Sequence, residues 1–178
     1  MGLLGKTLTE EKVLDNWGIT IPGAQGRENE VFESIMKEIS QLALPGVDLT
    51  REEAAAGFLK GLFGQKREFL FIRNREITDY KIYVGVRSYG KTLDVSWFVT
   101  FEPGFFKRGI ATAKAGFGAA LGVEAIIYSL DMFKQQDLRA FASVVHHAVL
   151  DVVEKTMASL GQDTSKLDRI SKGSLRIS

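Results

Sequence analysis

From Glu28 the apolar residues Val31, Phe32, Ile35, Met36, Ile39 and Leu42 recur every three or four positions, with Glu33, Lys37 and Glu38 between them. That spacing predicts an amphipathic helix, which Pro45-Gly46 ends. Thr50 followed by Glu53 has capping-box spacing, so a second helix is expected from Arg51 to Phe63 with Gly64 as its stop. The period then changes to two. Glu68 to Arg73 is aromatic and branched, Tyr80 to Ser88 places Tyr80, Ile82, Val84 and Val86 on one face, and Thr92 to Glu102 does the same for Leu93, Val95, Trp97, Val99 and Phe101. These read as three strands.

A turn at Tyr89-Gly90 would pair Val86 with Leu93, Val84 with Val95, Ile82 with Trp97 and Tyr80 with Val99, bringing every apolar pair to one side. Lys81, Tyr83, Arg87, Asp94, Ser96 and Phe98 then share the opposite face. After Pro103-Gly104 a Gly- and Ala-rich segment, 109–130, leads into a long helical pattern that ends before Gly161, so two C-terminal helices are expected. The fold class that follows is α+β: a three-stranded antiparallel meander with two N-terminal and two C-terminal helices packed on one face. Residues 1–27, broken by Pro22-Gly23, read as an N-terminal arm, 28–161 as one domain and 162–178 as a polar tail.

Composition narrows the classes. The 178 residues are 45% hydrophobic, with 23 basic and 22 acidic side chains, enough apolar material for one sizeable core and too little net charge for a disordered chain. There is no cysteine, which removes thiolate chemistry, disulfides and cysteine-ligated metals. Lys6 stands where the myristoylation pattern wants Ser or Thr, and Glu10, Glu11 and Lys12 interrupt any secretory apolar run. The expected location is therefore cytoplasmic, with a position peripheral to a membrane as the alternative.

Candidate chemistry is sparse. His146 and His147 are the only histidines and, as neighbours on a helix, point about 100° apart, so they cannot share a metal ion. Ser143, His147, Asp151 and Glu154 lie on the polar stripe of the last helix. His147, Asp151 and Glu154 are the only acid-base candidates for a hydrolase-like reaction, but a mid-helix Ser143 offers neither an exposed nucleophile nor an oxyanion site. His146 belongs beside Leu150, Val153 and Met157 as a structural residue. Gly116-Phe117-Gly118-Ala119-Ala120-Leu121-Gly122 misses the dinucleotide spacing, and no phosphate-loop Lys-Ser or Lys-Thr follows it. No cofactor and no metal are expected.

Ala115, Gly118 and Gly122 read instead as a small-residue helix side that lets another backbone approach closely. The leading expectation is a non-catalytic interaction or assembly module, a homo-oligomer or one bound to a protein partner, with Tyr83 and Phe98 on the second sheet face as further contact residues. The alternative is association with an anionic membrane surface, or insertion into the membrane, through residues 105–130. There Phe105 and Phe106 stand beside Lys107 and Arg108, while Lys114 and Glu124 make a spanning helix costly. Residues 61–114 carry 10 basic against 5 acidic side chains, and Lys81, Arg87, Arg73 and Arg75 with Tyr83 and Phe98 form a nucleic-acid surface on paper. Glu68, Glu76, Asp79 and Asp94 dilute it, so nucleic acid is not the expected partner.

Overall fold

A computed structural model describes residues 12–55, 66–101 and 130–178. In chain order these form β1 (Lys12–Pro22), α1 (Glu28–Gln41), β2 (Val47–Ala55), β3 (Lys66–Asn74), β4 (Tyr80–Tyr89), β5 (Thr92–Phe101), α2 (Met132–Ser159) and a short 3₁₀ turn, Thr164–Lys166. The strands make one antiparallel sheet in the order β1-β5-β4-β3-β2. The fold is α+β, but the described sheet has five strands where three were expected, and the described residues hold two helices in place of four.

Both additional strands come from segments whose local signals point elsewhere. Lys12–Pro22, expected in an arm, pairs with β5 along its whole length, placing Trp17 opposite Trp97 and Ile21 opposite Leu93. The expected second helix begins instead as β2, paired with β3 from Val47↔Asn74 to Ala55↔Lys66; its remainder, 56–63, lies outside the described residues. Glu52, Glu53, Ala54 and Ala55 are good helix formers, but propensity yields to the tertiary contacts of their neighbour. Arg51 places its guanidinium 4.4 Å from the Phe32 ring centroid, pairs with Glu68 at 2.7 Å and donates to Asn29 at 2.6 Å.

The β4-β5 hairpin forms two residues away from the expected register. Its turn is Gly90-Lys91, and Tyr89 pairs with Thr92, Val86 with Val95, Val84 with Trp97 and Ile82 with Val99. Gly90, at φ +62°, occupies the positive-φ position that such a turn needs. A slip of two leaves every side chain on its original face, which is why the pattern alone accepts both registers.

The helices share one face. Val31, Phe32, Ile35 and Ile39 of α1, and Leu138, Ala142, Val145, Val149 and Val153 of α2, join Leu70, Ile72, Ile82, Val84, Leu93, Val95, Trp97 and Val99 in one buried cluster. Arg27 donates to Ser159 and Lys155 pairs with Glu38, tying the two helices together.

The C-terminal residues are not a loose tail. Leu175 and Ile177 are buried, and the segment lies along the outer edge of β1, where Lys172 N-H donates to the Asn16 carbonyl and Ser174 N-H to that of Leu14. Asp15 is the fastener. β1 bulges between Val13 and Asp15, and the Asp15 carboxylate, fully buried, accepts from Leu175 N-H (3.0 Å), Arg176 N-H (2.9 Å) and Asn16 N-H (2.8 Å). Gly173 permits this approach, since a Cβ there would stand 2.5 Å from the Leu14 oxygen. An edge strand that would otherwise present free backbone groups is thereby covered by the chain itself.

Two stability outcomes follow. Trp97, buried and centred in the β4-β5-β1 row, should cost roughly 3–5 kcal/mol when changed to Ala, measured by denaturant unfolding; a loss under about 1 kcal/mol would contradict this packing. Asp15→Ala leaves three N-H donors, that of Leu175 buried, without their acceptor and should cost about 2–4 kcal/mol, with hydrogen exchange accelerating first at Leu175 and Arg176.

Candidate functional site

On α2 two of the three acid-base candidates, His147 and Glu154, contact the C-terminal segment. His147 is exposed, and its Nε2 lies 2.9 Å from the Ser178 carbonyl oxygen. Glu154 receives Arg169 through two contacts, 2.9 Å from Nε and 2.7 Å from Nη2, while Asp151 is solvent-exposed. His146 has no exposed surface. Its ring stacks on Trp97 at 4.9 Å between centroids and 26° between planes, meets Trp17 at 5.5 Å, and neither ring nitrogen has a hydrogen-bond partner. The environment therefore favours the neutral imidazole over the charged one.

The second sheet face carries an aromatic cluster. Tyr83 and Phe71 are buried and meet edge to face at 4.6 Å, Phe69 joins them, and Phe98 is partly buried against this cluster. Lys81 is also buried. Tyr83 cannot stack on a base, Arg73 is held by Glu52 at 3.6 Å, and Arg75 by Asp48 at 2.7 Å, so most of the paper nucleic-acid surface is already spent. Ala115, Gly118, Gly122, Phe105, Phe106, Lys107, Arg108 and Lys114 lie outside the described residues. Among the described residues no helix is long and apolar enough to cross a membrane.

A concave site does form where the sheet parts. β2 follows β3 out to Lys66 and β5 follows β4 out to Tyr89, but the β3-β4 ladder stops at Phe69↔Gly85. Beyond that pair the two strands border a cleft of about 320 Å³ that reaches the first turn of α1. Glu28 closes part of the gap: its Oε1 accepts the Ser88 N-H at 3.0 Å, and these Ser88 contacts hold the carboxyl below its ordinary range. Glu68 is matched by Arg51 on the same inner wall.

The outer rim is different. Phe69 and Gly85 are direct partners, so Arg67 and Arg87, two residues beyond each, share the outer face and flank the cleft mouth. Among the described residues neither is paired with a carboxylate; Arg87 lies over the Tyr89 ring at 5.6 Å. Asp94, cross-strand partner of Arg87, is the carboxylate on that rim. Sequence reasoning picked out Arg87 on a strand face and Arg67 only as a cation beside the aromatics of 58–63, and gave Glu28 and Arg51 no part in a site, because the strand break that brings them together leaves no turn or motif in the chain.

Comparison of the chain with protein-family models, with curated proteins and with solved structures finds no match.

His146 makes acid sensitivity measurable. Burial, with a smaller contribution from His147, lowers its pKa from 6.5 to about 4. As pH falls from 6.5 towards 4 the unfolded chain takes up a proton that the native chain refuses, so stability declines through that window. The decline should total about 3 kcal/mol. Urea unfolding at intervals across the window should show this slope in the wild type and its loss in His146→Phe.

Proposed function

We propose that the protein is a non-catalytic interaction or assembly module that works as a homo-oligomer. The observation that carries this reading is the structural employment of its acid-base side chains: His147 and Glu154 hold the C-terminal segment on α2, and His146 fills the core between two indoles. A general base must reach a substrate proton from within a site that also orients the reacting group. The α2 stripe instead meets residues of its own chain at two of its three acid-base positions, His147 and Glu154, while Asp151 stands in solvent.

Self-association finds its support in the sequence. Ala115, Gly118 and Gly122 have the small-residue spacing that admits a second backbone, and each glycine costs a helix about 1 kcal/mol relative to alanine unless packing repays it. The test is mass in solution. Light scattering coupled to gel filtration should give a mass above the 19.7 kDa of one chain, falling to one chain in the Gly118→Leu, Gly122→Leu double variant. A wild type that stays at one chain's mass up to the highest soluble concentration would overturn the proposal.

A further inference from the structure

We propose that the cleft between β3 and β4 is a binding site for a small organic oxyanion, a carboxylate or phosphomonoester on an apolar body, held between Arg67 and Arg87. The reading is independent of oligomeric state and goes beyond the assembly role.

Three observations support it. The first is space. At about 320 Å³ the cleft is at the lower end of the range for small-molecule sites, and it exists because the sheet stops pairing at Phe69↔Gly85. Gly85 has no side chain at this point, and the Phe69 ring and Ser96 hydroxyl lie over it, each 2.8 Å from where a Cβ would be. The floor is therefore an aromatic edge and a hydroxyl on a backbone that cannot recede.

The second is charge. Of the charged side chains lining the cleft, Glu68 is matched by Arg51 and Glu28 accepts the Ser88 N-H. The whole lining sums to zero charge, with Arg51 against Glu68 and Glu28 on the inner wall and Arg67 and Arg87 against Asp94 on the outer rim, so the positive excess is local to that rim. Two guanidiniums on opposite strands, neither paired with a carboxylate among the described residues, can each offer paired N-H donors, which suit a planar carboxylate or a phosphate.

The third is that the cleft already receives a carboxylate. Glu28 enters it from α1 and accepts a strand N-H that the ladder leaves over. The Ser88 N-H is thereby taken, so the donors left for a ligand are the guanidiniums of the outer rim, with Phe69 below them. Phenyl phosphate and benzoate have this combination of an oxyanion and a flat apolar body; inorganic phosphate has only the charge, and benzyl alcohol only the body.

The experiment is a set of amide chemical-shift titrations of the full chain with those four compounds. Saturable shifts centred on Gly85, Val86, Ser88 and Ser96 are expected with phenyl phosphate and benzoate, and whichever binds more tightly identifies the headgroup. Inorganic phosphate and benzyl alcohol should each bind at least about tenfold more weakly, since each lacks half of the contacts. Arg67→Gln with Arg87→Gln should weaken the tighter ligand about tenfold or more, and the corresponding double Lys variant should fall between, keeping charge without the fork. Arg73→Gln, on the same face but paired to Glu52, should leave binding unchanged. Shifts that do not saturate or that centre elsewhere would overturn the site. Benzyl alcohol binding as tightly as the anions, or undiminished binding in a correctly folded double Gln or double Lys variant, would overturn the assignment of the two arginines.

Discussion

The packing of His146 against Trp97 and Trp17 joins the parts of the fold that the chain supplies farthest apart: an imidazole from α2, an indole from β5 and an indole from the edge strand β1. Because the imidazole is buried against both indoles, its neutral form is favoured there and protonation weakens the contact between helix and sheet. The row Trp17-Trp97-Val84-Leu70 crosses four strands at that level, so the helix is positioned by the most voluminous side chains of the sheet. With α2 so placed, its polar stripe faces the C-terminal segment, which explains why His147 and Glu154 find partners there.

The two edges of the sheet are handled by different means. At β1 a buried carboxylate, Asp15, captures the backbone of Leu175 and Arg176, and the chain folds back on its own edge. At β2 the chain places Asp48, Arg51, Glu52 and Glu53, which disfavour pairing with a further strand by charge. Between these edges the β3-β4 ladder stops early, and there the side chain of Glu28 accepts a backbone N-H that the ladder leaves over. The ligand site proposed for that cleft and the anchoring of α1 therefore share one structural cause.

Local pattern was sufficient wherever one face of an element is buried along its length. α1 follows its apolar spacing, and β3, β4 and β5 fall where alternation puts them; Trp97 is buried as its face requires. The same reasoning could not choose between hairpin registers that differ by two, because both keep Val84, Val86, Val95 and Trp97 inside. Nor could it recognise β2, whose Glu and Ala residues favour a helix when considered alone, or β1, whose pairing depends on a strand more than seventy residues away. The candidate site was legible only in fragments: Arg87 stood out as a charge on a strand face, while Arg67, Arg51 and Glu28 acquire meaning from a ladder that ends early.

By itself the sequence determined the amphipathic helix, the alternating strands, the α+β class and the absence of cysteine chemistry, since each depends on side-chain type and spacing over a few residues. Only the tertiary structure decided the five-strand order, the capture of residues 171–178 by Asp15, the burial of Tyr83 and the opposition of Arg67 and Arg87. These depend on which distant segments pair and where their pairing stops. Loop closure and shared burial set that choice for the chain as a whole, and no short window of residues carries it.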